Sequence, residues 1–185
     1  MRNPRDYISY SQLVSYESGR YYDEYILGNR RKSIEMDFGK KIADGLKNGS
    51  KDKDVEFVLM WTPPVRKREE EIVEIIDGIK IKAYLDGREK NNIYEYKTGR
   101  VPWTQLKVDN SDQLTVYSML YWNRHRKHPK NTLIWIPTKK DGNKVMLTGD
   151  IPITFHTKRT IADYGPMIKR LKLASMGIKK LYNQI

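Results

Sequence analysis

The sequence predicts a mixed α/β domain in which a central mixed β-sheet is flanked by α-helices. Apolar residues recur at helical spacing in several segments, whereas between Glu71 and Lys97 they alternate with polar residues at strand spacing. Helices and strands that follow one another in this way build a sheet covered by helices. The 185 residues contain no internal repeat, so we expect a single domain over residues 1–185.

The N-terminal part of the chain is predicted to be helical. Ser11 is placed to cap a short helix over Gln12 to Glu17, which Gly19 would end. A tyrosine-rich stretch follows, from Tyr21 to Leu27.

A second helix is predicted to begin at Ser33 or Asp37 as its N-cap and to run to about Leu46. Its apolar face is formed by residues four positions apart, which are Phe38, Ile42 and Leu46. Gly39 and Ala43 form a narrow strip beside this face, so the helix could approach a sheet closely. The polar run KNGSKDKD at residues 47–54 is interpreted as a loop.

The middle of the chain is predicted to be a three-stranded antiparallel meander. The segments EIVEII, IKIKAYLD and IYEYK alternate in polarity, and Asp77-Gly78 is typical of a tight hairpin turn. A helix is then expected over Asn110 to Trp122, with strands over Thr132 to Ile136 and Val145 to Phe155. The C-terminal segment carries a helical stripe made of Ile168, Leu171, Ser175, Ile178 and Tyr182.

Charge and composition restrict the function. The chain has 35 Lys and Arg against 23 Asp and Glu, a net charge of +12 that favours a polyanionic partner such as DNA. The absence of cysteine excludes disulfides, thiolate zinc sites and cysteine-ligated iron–sulfur clusters, so a metal would need oxygen or imidazole ligands. There is no membrane-spanning segment or apolar leader, and we expect a cytoplasmic protein without a membrane partner.

Three polar side chains on neighbouring strands form the candidate catalytic group. Alternation places Asp86 at the end of the second strand, on the face opposite its aliphatic residues, and places Glu95 and Lys97 on one face of the third strand. Two adjacent carboxylates repel each other unless a cation lies between them, and such oxygen ligands suit Mg²⁺ or Mn²⁺. A neighbouring lysine could orient or deprotonate a water and offset charge on a phosphate. Alternatively, Asp86 is a turn residue and Glu95 and Lys97 are an exposed charge pattern.

The wider sequence resembles the RecB-like exonuclease branch of the PD-(D/E)XK nuclease superfamily. AYLDG and IYEYKTGR are similar to its second and third motifs, and DQLTVY after Trp103 is similar to its Q-x-x-x-Y helix. Upstream, SYSQLVSYESGRYYDEYILG resembles the opening element of the branch, and MDFGKKIADGL resembles its first helix. The resemblance extends from about Ser9 to Tyr121 and implies a restriction-endonuclease-like fold.

The resemblance also implies roles for individual residues. Asp86, Glu95 and the backbone carbonyl of Tyr96 would bind Mg²⁺, for which Mn²⁺ could substitute, and Lys97 would act on the attacking water. Gln113 and Tyr117, which are four residues apart on one helix face, would position the active-site residues or contact the substrate.

One position departs from the pattern of the branch. Ala43 stands where the branch usually carries a histidine that binds metal. Glu35 is a candidate substitute ligand, and the alternative is that Glu35, Asp37 and Asp44 are solvated acids on the helix surface. The loss of the histidine leaves open a degenerate nuclease fold that binds DNA without cutting it.

Three hypotheses follow for function. The first is a Mg²⁺-dependent DNA nuclease acting on single- or double-stranded DNA, the second is the degenerate DNA-binding fold, and the third is a structural or RNA-binding basic protein. No phosphate-binding glycine-rich loop is present, so any unwinding would come from a partner such as a helicase or recombination protein.

Several weaker signals concern the surface. Three basic clusters could neutralise phosphates. They are Arg30, Arg31 and Lys32; Arg66, Lys67 and Arg68; and Arg124, Arg126, Lys127 and Lys130. Tyr21, Tyr22 and Trp103 are the candidates for exposed aromatics that stack on bases. His125, His128 and His156 lack metal-ligand spacing and are interpreted as surface or strand residues.

Overall fold

The computed structural model describes residues 5–30 and 32–184. The helices are α1 (Tyr10–Glu17), a π-helical segment (Tyr22–Leu27), α2 (Ile34–Asn48), α3 (Lys53–Trp61), α4 (Gln105–Asp109), α5 (Asp112–His125) and α6 (Ile161–Asn183). The strands are β1 (Lys67–Ile76), β2 (Ile79–Glu89), β3 (Asn92–Gly99), β4 (Lys130–Asp141), β5 (Lys144–Leu147) and β6 (Ile153–Lys158).

The six strands form one mixed sheet, which confirms the predicted fold class. Strands β1, β2 and β3 make the expected antiparallel meander, β4 lies parallel to β3, and both β5 and β6 pair antiparallel with β4. The parallel pairing of β3 with β4 requires a crossover, which α4 and α5 provide. The sheet is therefore continuous from β1 to the β5 and β6 edge.

The pairing of β2 with β3 is short, and this decides where a site can form. Only three residue pairs connect the two strands, from Glu89–Asn92 to Gly87–Tyr94, and beyond them the strands diverge. The N-terminal segment occupies part of the opening. The Ile8 amide donates to the Lys80 carbonyl and the Lys82 amide donates to the Ile8 carbonyl, each at 2.9 Å.

Each face of the sheet is covered by its own hydrophobic cluster. One cluster joins α1, α5 and α6 to the face that carries Leu85, Ile93 and Leu133. The other joins α2 and α3 to the face that carries Tyr94 and Ile134. Burying apolar area on both faces fixes the helices to the sheet and leaves the end of the sheet beyond the β2–β3 pairing for polar residues.

The predicted second helix is present and packs as its sequence pattern indicated. The Ser33 hydroxyl accepts from the Met36 amide at 3.2 Å, so Ser33 and not Asp37 is the N-cap. Phe38, Ile42 and Leu46 are buried. The narrow strip lets the helix lie against β3, because a methyl group on Gly39 would lie 3.0 Å from Thr98 Oγ1.

Several boundaries differ from the predictions. The N-cap of α1 is Ser9 rather than Ser11, because Gln12 completes a capping box with Ser9. Strand β2 continues three residues past Asp86, to Glu89. The single strand predicted over Val145 to Phe155 is instead two strands, β5 and β6, separated by a loop in which Gly149 has φ +91°.

The helix α3 was missed, and the loop predicted over residues 47–54 is shorter than expected, because α2 runs to Asn48 and α3 begins at Lys53. Its sequence, KDVEFVLMW, ends in the unbroken apolar run FVLMW, and of the whole helix only Val55 and Val58 are buried. The helix forms because the Asp52 carboxylate accepts from the Asp54 amide at 3.0 Å and because α2 offers Val55 a surface.

Among the described residues, no helix is both long enough and apolar enough to cross a lipid bilayer.

The contact between α2 and α3 gives a test of the packing. A Cβ on Gly45 would lie 2.4 Å from Val55 Cγ2, and Val55 is buried and cannot move aside freely. We expect Gly45→Ala to reduce the free energy of unfolding by about 1 to 3 kcal/mol, in spite of the higher helix propensity of alanine. Urea unfolding measures the change. In a Val55→Ala background the same substitution should have a much smaller effect, and an equal effect in both backgrounds would contradict the contact.

Candidate active site

The polar residues of β3 face α5. Ile93 belongs to the hydrophobic cluster that contains α5, whereas Tyr94 and Tyr96 pack on the α2 side. Because side chains alternate along a strand, Glu95 and Lys97 lie on the α5 side with Ile93. This is the arrangement that the sequence predicted for them.

Asp86 reaches the same place from the neighbouring strand. Its Oδ2 accepts from the backbone amide of Tyr96 at 2.9 Å, beyond the last β2–β3 residue pair. The carboxylate thus takes the position of a main-chain acceptor where the two strands diverge. In an extended strand the N–H and C=O of one residue point to the same side, so the Tyr96 carbonyl also points into the opening.

The two carboxyl groups line one open cleft of 490 Å³ together with Lys97 and Gln113. Glu95 is only 2% exposed. Its Oε1 contacts Lys97 Nζ at 2.5 Å, and its Oε2 is buried without a hydrogen-bond partner among the described residues. Leaving a buried carboxylate oxygen unpaired is unfavourable, and such an atom often marks the position of an ion or water.

The electrostatics of the cleft oppose the ionisation of Asp86 beside Glu95. Burial raises the pKa of Asp86 well above its usual value, and the negative charge of Glu95 raises it further, although the Tyr96 amide acts in the opposite direction. Burial lowers the pKa of Lys97, but the charges of Glu95 and Asp86 outweigh it and raise that pKa overall. Lys97 is therefore an ammonium group that compensates the acidic pair.

A chain of hydrogen bonds fixes Lys97 from the side of α5. Lys97 Nζ donates to Gln113 Oε1 at 2.8 Å, and Gln113 Nε2 donates to the Tyr117 hydroxyl at 2.7 Å. Tyr117 is 5% exposed, and burial, followed by the charges of Glu95 and Asp86, raises the pKa of its phenol well above the ordinary value. Of the two roles predicted for Tyr117, this location fits the positioning of Lys97 and not direct contact with substrate.

Helix α2 forms the opposite wall of the cleft. Ala43 lies beside Asp86, and it lines both the main cleft and a small adjoining cavity. Glu35 lines the same main cleft near its mouth. Hydrogen bonds from its own backbone amide and from Ser33 lower the pKa of Glu35, and the charges of Lys140 and Arg100 contribute in the same direction.

In the part of the chain that the structure describes, no three acidic or histidine side chains form a ready metal-binding cluster. The site thus brings Asp86 and Glu95 together as a pair. Glu35 faces the same cleft but does not complete a group of three ligands with them.

Two residues that the sequence did not single out as site residues lie beside Asp86. Arg68 and Glu69 of β1 line the small cavity with Asp86, Ala43 and Tyr96. The register places Glu69 opposite Asp86, and Glu69 has φ 47°, an uncommon value for a side-chain-bearing residue. The Lys47 ammonium contacts its carboxylate at 2.6 Å. The run KREEE carries no pattern that separates these residues from an ordinary charged strand.

The predicted basic clusters lie in different places. Arg68 adjoins the site, but Arg66 and Lys67 contact Glu89 and Glu70. Arg30 lies over the Tyr25 ring at 4.1 Å, and Lys32 is exposed, whereas Arg31 lies outside the described residues.

The third cluster is displaced along the strand from the cleft that contains Lys97. Lys130 pairs with Asn92, whereas Lys97 pairs with Trp135, about 17 Å further along β4. Arg124 is held by Glu74 on β1 at 2.7 Å.

The exposed aromatics were only partly predicted. Tyr22 is 43% exposed, as expected. Tyr21 is 2% exposed and stacks on Tyr25 with ring centroids 4.7 Å apart, so its predicted exposure is wrong. Trp103 packs partly against the core and lies under the Lys107 ammonium at 4.4 Å. The sequence of the tyrosine-rich stretch does not distinguish these residues, because Tyr21 is buried through its stacking on Tyr25, a tertiary arrangement.

Comparison with solved structures identifies the fold. A protein from Eubacterium rectale, provisionally described as an exonuclease, superposes with a TM-score of 0.60 and 13% identity over 97% of this chain and 82% of that one. An alkaline exonuclease from Laribacter hongkongensis superposes with a TM-score of 0.55 and 10% identity over 97% and 93%. Its complex with dAMP gives a TM-score of 0.56 and 11% identity over the same shares. The chain has a nuclease fold.

This nuclease fold confirms the fold that the PD-(D/E)XK resemblance implied. No protein-family model matches the sequence, and comparison with curated proteins gives no significant match. At 10–13% identity the superpositions show a shared fold alone. The chemistry of this nuclease fold is therefore to be inferred from the residues in its cleft.

Because Asp86 is buried beside Glu95, we expect Asp86 to destabilise the metal-free protein. Because the folded state raises the Asp86 pKa, stability is lost as pH rises from the ordinary aspartate pKa through the raised one. We expect Asp86→Asn, which keeps an acceptor for the Tyr96 amide, to increase the free energy of unfolding by about 0.5 to 2 kcal/mol at neutral pH in EDTA. This increase in the free energy of unfolding should become smaller towards pH 4. Urea unfolding of both proteins at several pH values measures it.

The matched control is Asp44→Asn on the exposed surface of α2, one residue after Ala43. Its effect should stay within about 0.5 kcal/mol at either pH. A loss of stability in Asp86→Asn at neutral pH would contradict the electrostatic account of the pair.

Proposed function

We propose that this chain is a Mg²⁺-dependent DNA nuclease of the RecB-like exonuclease type, with Mn²⁺ able to substitute. The observation that carries the proposal is the buried pair of Asp86 and Glu95 with Lys97 bridging to Gln113, set in the opening of a nuclease fold. DNA is the proposed partner, and the net charge of +12 agrees with a polyanionic substrate.

The donor set fits a hard divalent cation. Asp86 and Glu95 are neighbouring carboxyl groups, and burial together with the charge of Glu95 raises the pKa of Asp86. Glu95 Oε2 has no hydrogen-bond partner among the described residues, and the Tyr96 carbonyl points into the same opening. A cation held by these three oxygens would relieve the repulsion and satisfy the unpaired oxygen. When bound, Mg²⁺ supplies Lewis acidity towards a phosphate oxygen and lowers the pKa of a coordinated water.

Lys97 acts next to the carboxylate pair. Burial lowers the pKa of Lys97, whereas the charges of Glu95 and Asp86 raise it. When a cation neutralises the two carboxylates, the effect of burial remains and the pKa of Lys97 falls. The lysine could then accept a proton from the attacking water, or, if it stays protonated, hold that water and offset phosphate charge. Attack by water in line with the leaving oxygen forms one P–O bond as the other breaks, and yields a phosphomonoester and a hydroxyl.

Gln113 and Tyr117 position this lysine. The Gln113 amide accepts from Lys97 and donates to Tyr117, so it joins the ammonium to the buried core of α5. Gln113 also lines the cleft and is open to substrate, whereas Tyr117 is not. Precise placement of a catalytic group of this kind depends on supporting hydrogen bonds from rigid elements.

A second function is favoured by one observation, the position of Ala43. This methyl group lies beside Asp86, where the resembling branch carries a metal-binding histidine. With only two carboxylates side by side and Glu35 near the mouth of the cleft, metal affinity could be too low for catalysis. The chain would then be a DNA-binding protein that keeps the nuclease fold.

The decisive test is cleavage of end-labelled linear and circular DNA, single- and double-stranded, in Mg²⁺, Mn²⁺ or EDTA. We expect metal-dependent cutting that falls at least 100-fold in Lys97→Ala, because the ammonium acts on the water and the phosphate charge. DNA affinity should change little, since the wider basic surface supplies it. Lys51→Ala, an exposed lysine in the α2–α3 connection, is the control and should cut normally. DNA that is bound but uncut in either metal would favour the second function.

Ala43→His tests whether the missing ligand limits metal affinity. An imidazole at this wall of the cleft would adjoin Asp86, so we expect half-maximal cleavage at a lower Mn²⁺ concentration, by about tenfold. Ala43→Phe adds a similar ring without a ligand nitrogen and should give no improvement. Cleavage activity titrated against Mn²⁺ measures the shift, and equal behaviour of the two variants would show that this position does not govern metal binding.

A further inference from the structure

The β4–β5 hairpin extends beyond the catalytic residues at the same end of the sheet. Strand β3 ends at Gly99, which is paired with Pro137, but β4 continues to Asp141 before the chain returns in β5. At about 3.3 Å per residue, Asp141 lies about 20 Å along the strand from Trp135, the residue opposite Lys97. The hairpin therefore projects past the level of the cleft.

The hairpin is fixed to the wall of the cleft. Val145 and Leu147 pack on the hydrophobic cluster that contains Phe38 and Ile42 of α2. The same helix lines the cleft with Glu35 and Ala43. The hairpin thus holds a defined position relative to the carboxyl pair.

The projecting part is strongly basic on both faces. Lys139, Lys140 and Lys144 are exposed, and within the described residues none of them forms a salt bridge. Lys139 is four residues from Trp135 along β4, an even spacing, and so it shares the face of Trp135 and Lys97. Lys140 lies on the α2 face, where its charge and that of Arg100 act on Glu35. These cations therefore flank the mouth of the cleft.

We propose that the β4–β5 hairpin, through Lys139, Lys140 and Lys144, binds the phosphate backbone of the DNA segment that leads into the cleft. The proposal rests on the nuclease function proposed above and identifies the wall that holds the substrate. Lysines without salt-bridge partners can each neutralise a phosphate without first breaking an ion pair. The cluster from Arg124 to Lys130 is excluded from this role, since it lies at the opposite end of β4 and Arg124 is already paired.

Binding measurements with matched charge variants test the hairpin. The test variant is Lys139→Ala/Lys140→Ala/Lys144→Ala, and the control is Lys127→Ala/Lys130→Ala/Lys158→Ala, three exposed lysines near the other end of β4. Fluorescence anisotropy in EDTA measures the binding of each variant to a labelled 30-nucleotide single strand and to a labelled 30-base-pair duplex, at several salt concentrations. For the preferred DNA we expect the test variant to bind about tenfold more weakly near 0.1 M salt, with the slope of log affinity against log salt smaller by about 2. In the control variant, the loss of affinity and the change in the salt slope should each be less than about a third of those in the test variant.

Cleavage kinetics in Mg²⁺ separate this proposal from the nuclease function. The hairpin lysines are distant from the reacting atoms, so the test variant should raise KM about tenfold with kcat nearly unchanged. Normal cleavage with no difference between the two triple variants would overturn the hairpin proposal and leave the nuclease function standing. If no protein cuts DNA but the test variant still loses affinity selectively, the nuclease function fails and the hairpin surface is supported. Equal loss in both triple variants would mean that binding follows net charge, and would also overturn the proposal.

Discussion

The carboxyl groups of Asp86 and Glu95 are held side by side where β2 and β3 separate, although burial and the charge of Glu95 both raise the pKa of Asp86. What keeps them there is a small set of oriented groups. The Tyr96 amide donates to Asp86, and Lys97 contacts Glu95. A continuous β2–β3 ladder would have used that amide for main-chain pairing and closed the opening. The short pairing is therefore the constraint on which the cleft depends.

The two hydrophobic clusters support this arrangement from opposite sides of the sheet. On one side, α5 brings Gln113 and the buried Tyr117 up to Lys97. On the other side, α2 approaches β3 at Gly39 and presents Ala43 to Asp86. The polar site thus lies between two apolar layers, and these layers, rather than the site itself, supply the stability that an unfavourable carboxyl pair requires. Under the proposed function, stability and activity are opposed at Asp86, as is common for catalytic groups.

The basic character of the chain is distributed unevenly with respect to this site. Many cations are already in ion pairs, as Arg88 is with Glu70 and Arg170 is with Glu17 and Asp112. The hairpin lysines differ from these because they project from the end of the sheet at which the cleft opens. The position of a cation relative to the sheet, and not the local density of charge, therefore decides whether that cation can contact a polyanion at the cleft.

The sequence by itself determined the α/β class, the meander and the main helices, and it predicted that Glu95 and Lys97 share one face of their strand, because strand alternation and helical spacing are local properties of the chain. Gln113 was indicated instead by the resemblance of DQLTVY to the Q-x-x-x-Y helix. The sequence also indicated the close approach of α2 through Gly39 and Ala43. It did not give α3, whose apolar run becomes a helix only against α2, or the inward turn of Tyr21. Only the tertiary structure decided that Glu69 lies opposite Asp86, that Tyr117 is buried, and that the hairpin lysines flank the cleft while Lys130 does not. These features depend on strand register and on contacts between segments distant in sequence, and no local pattern encodes them.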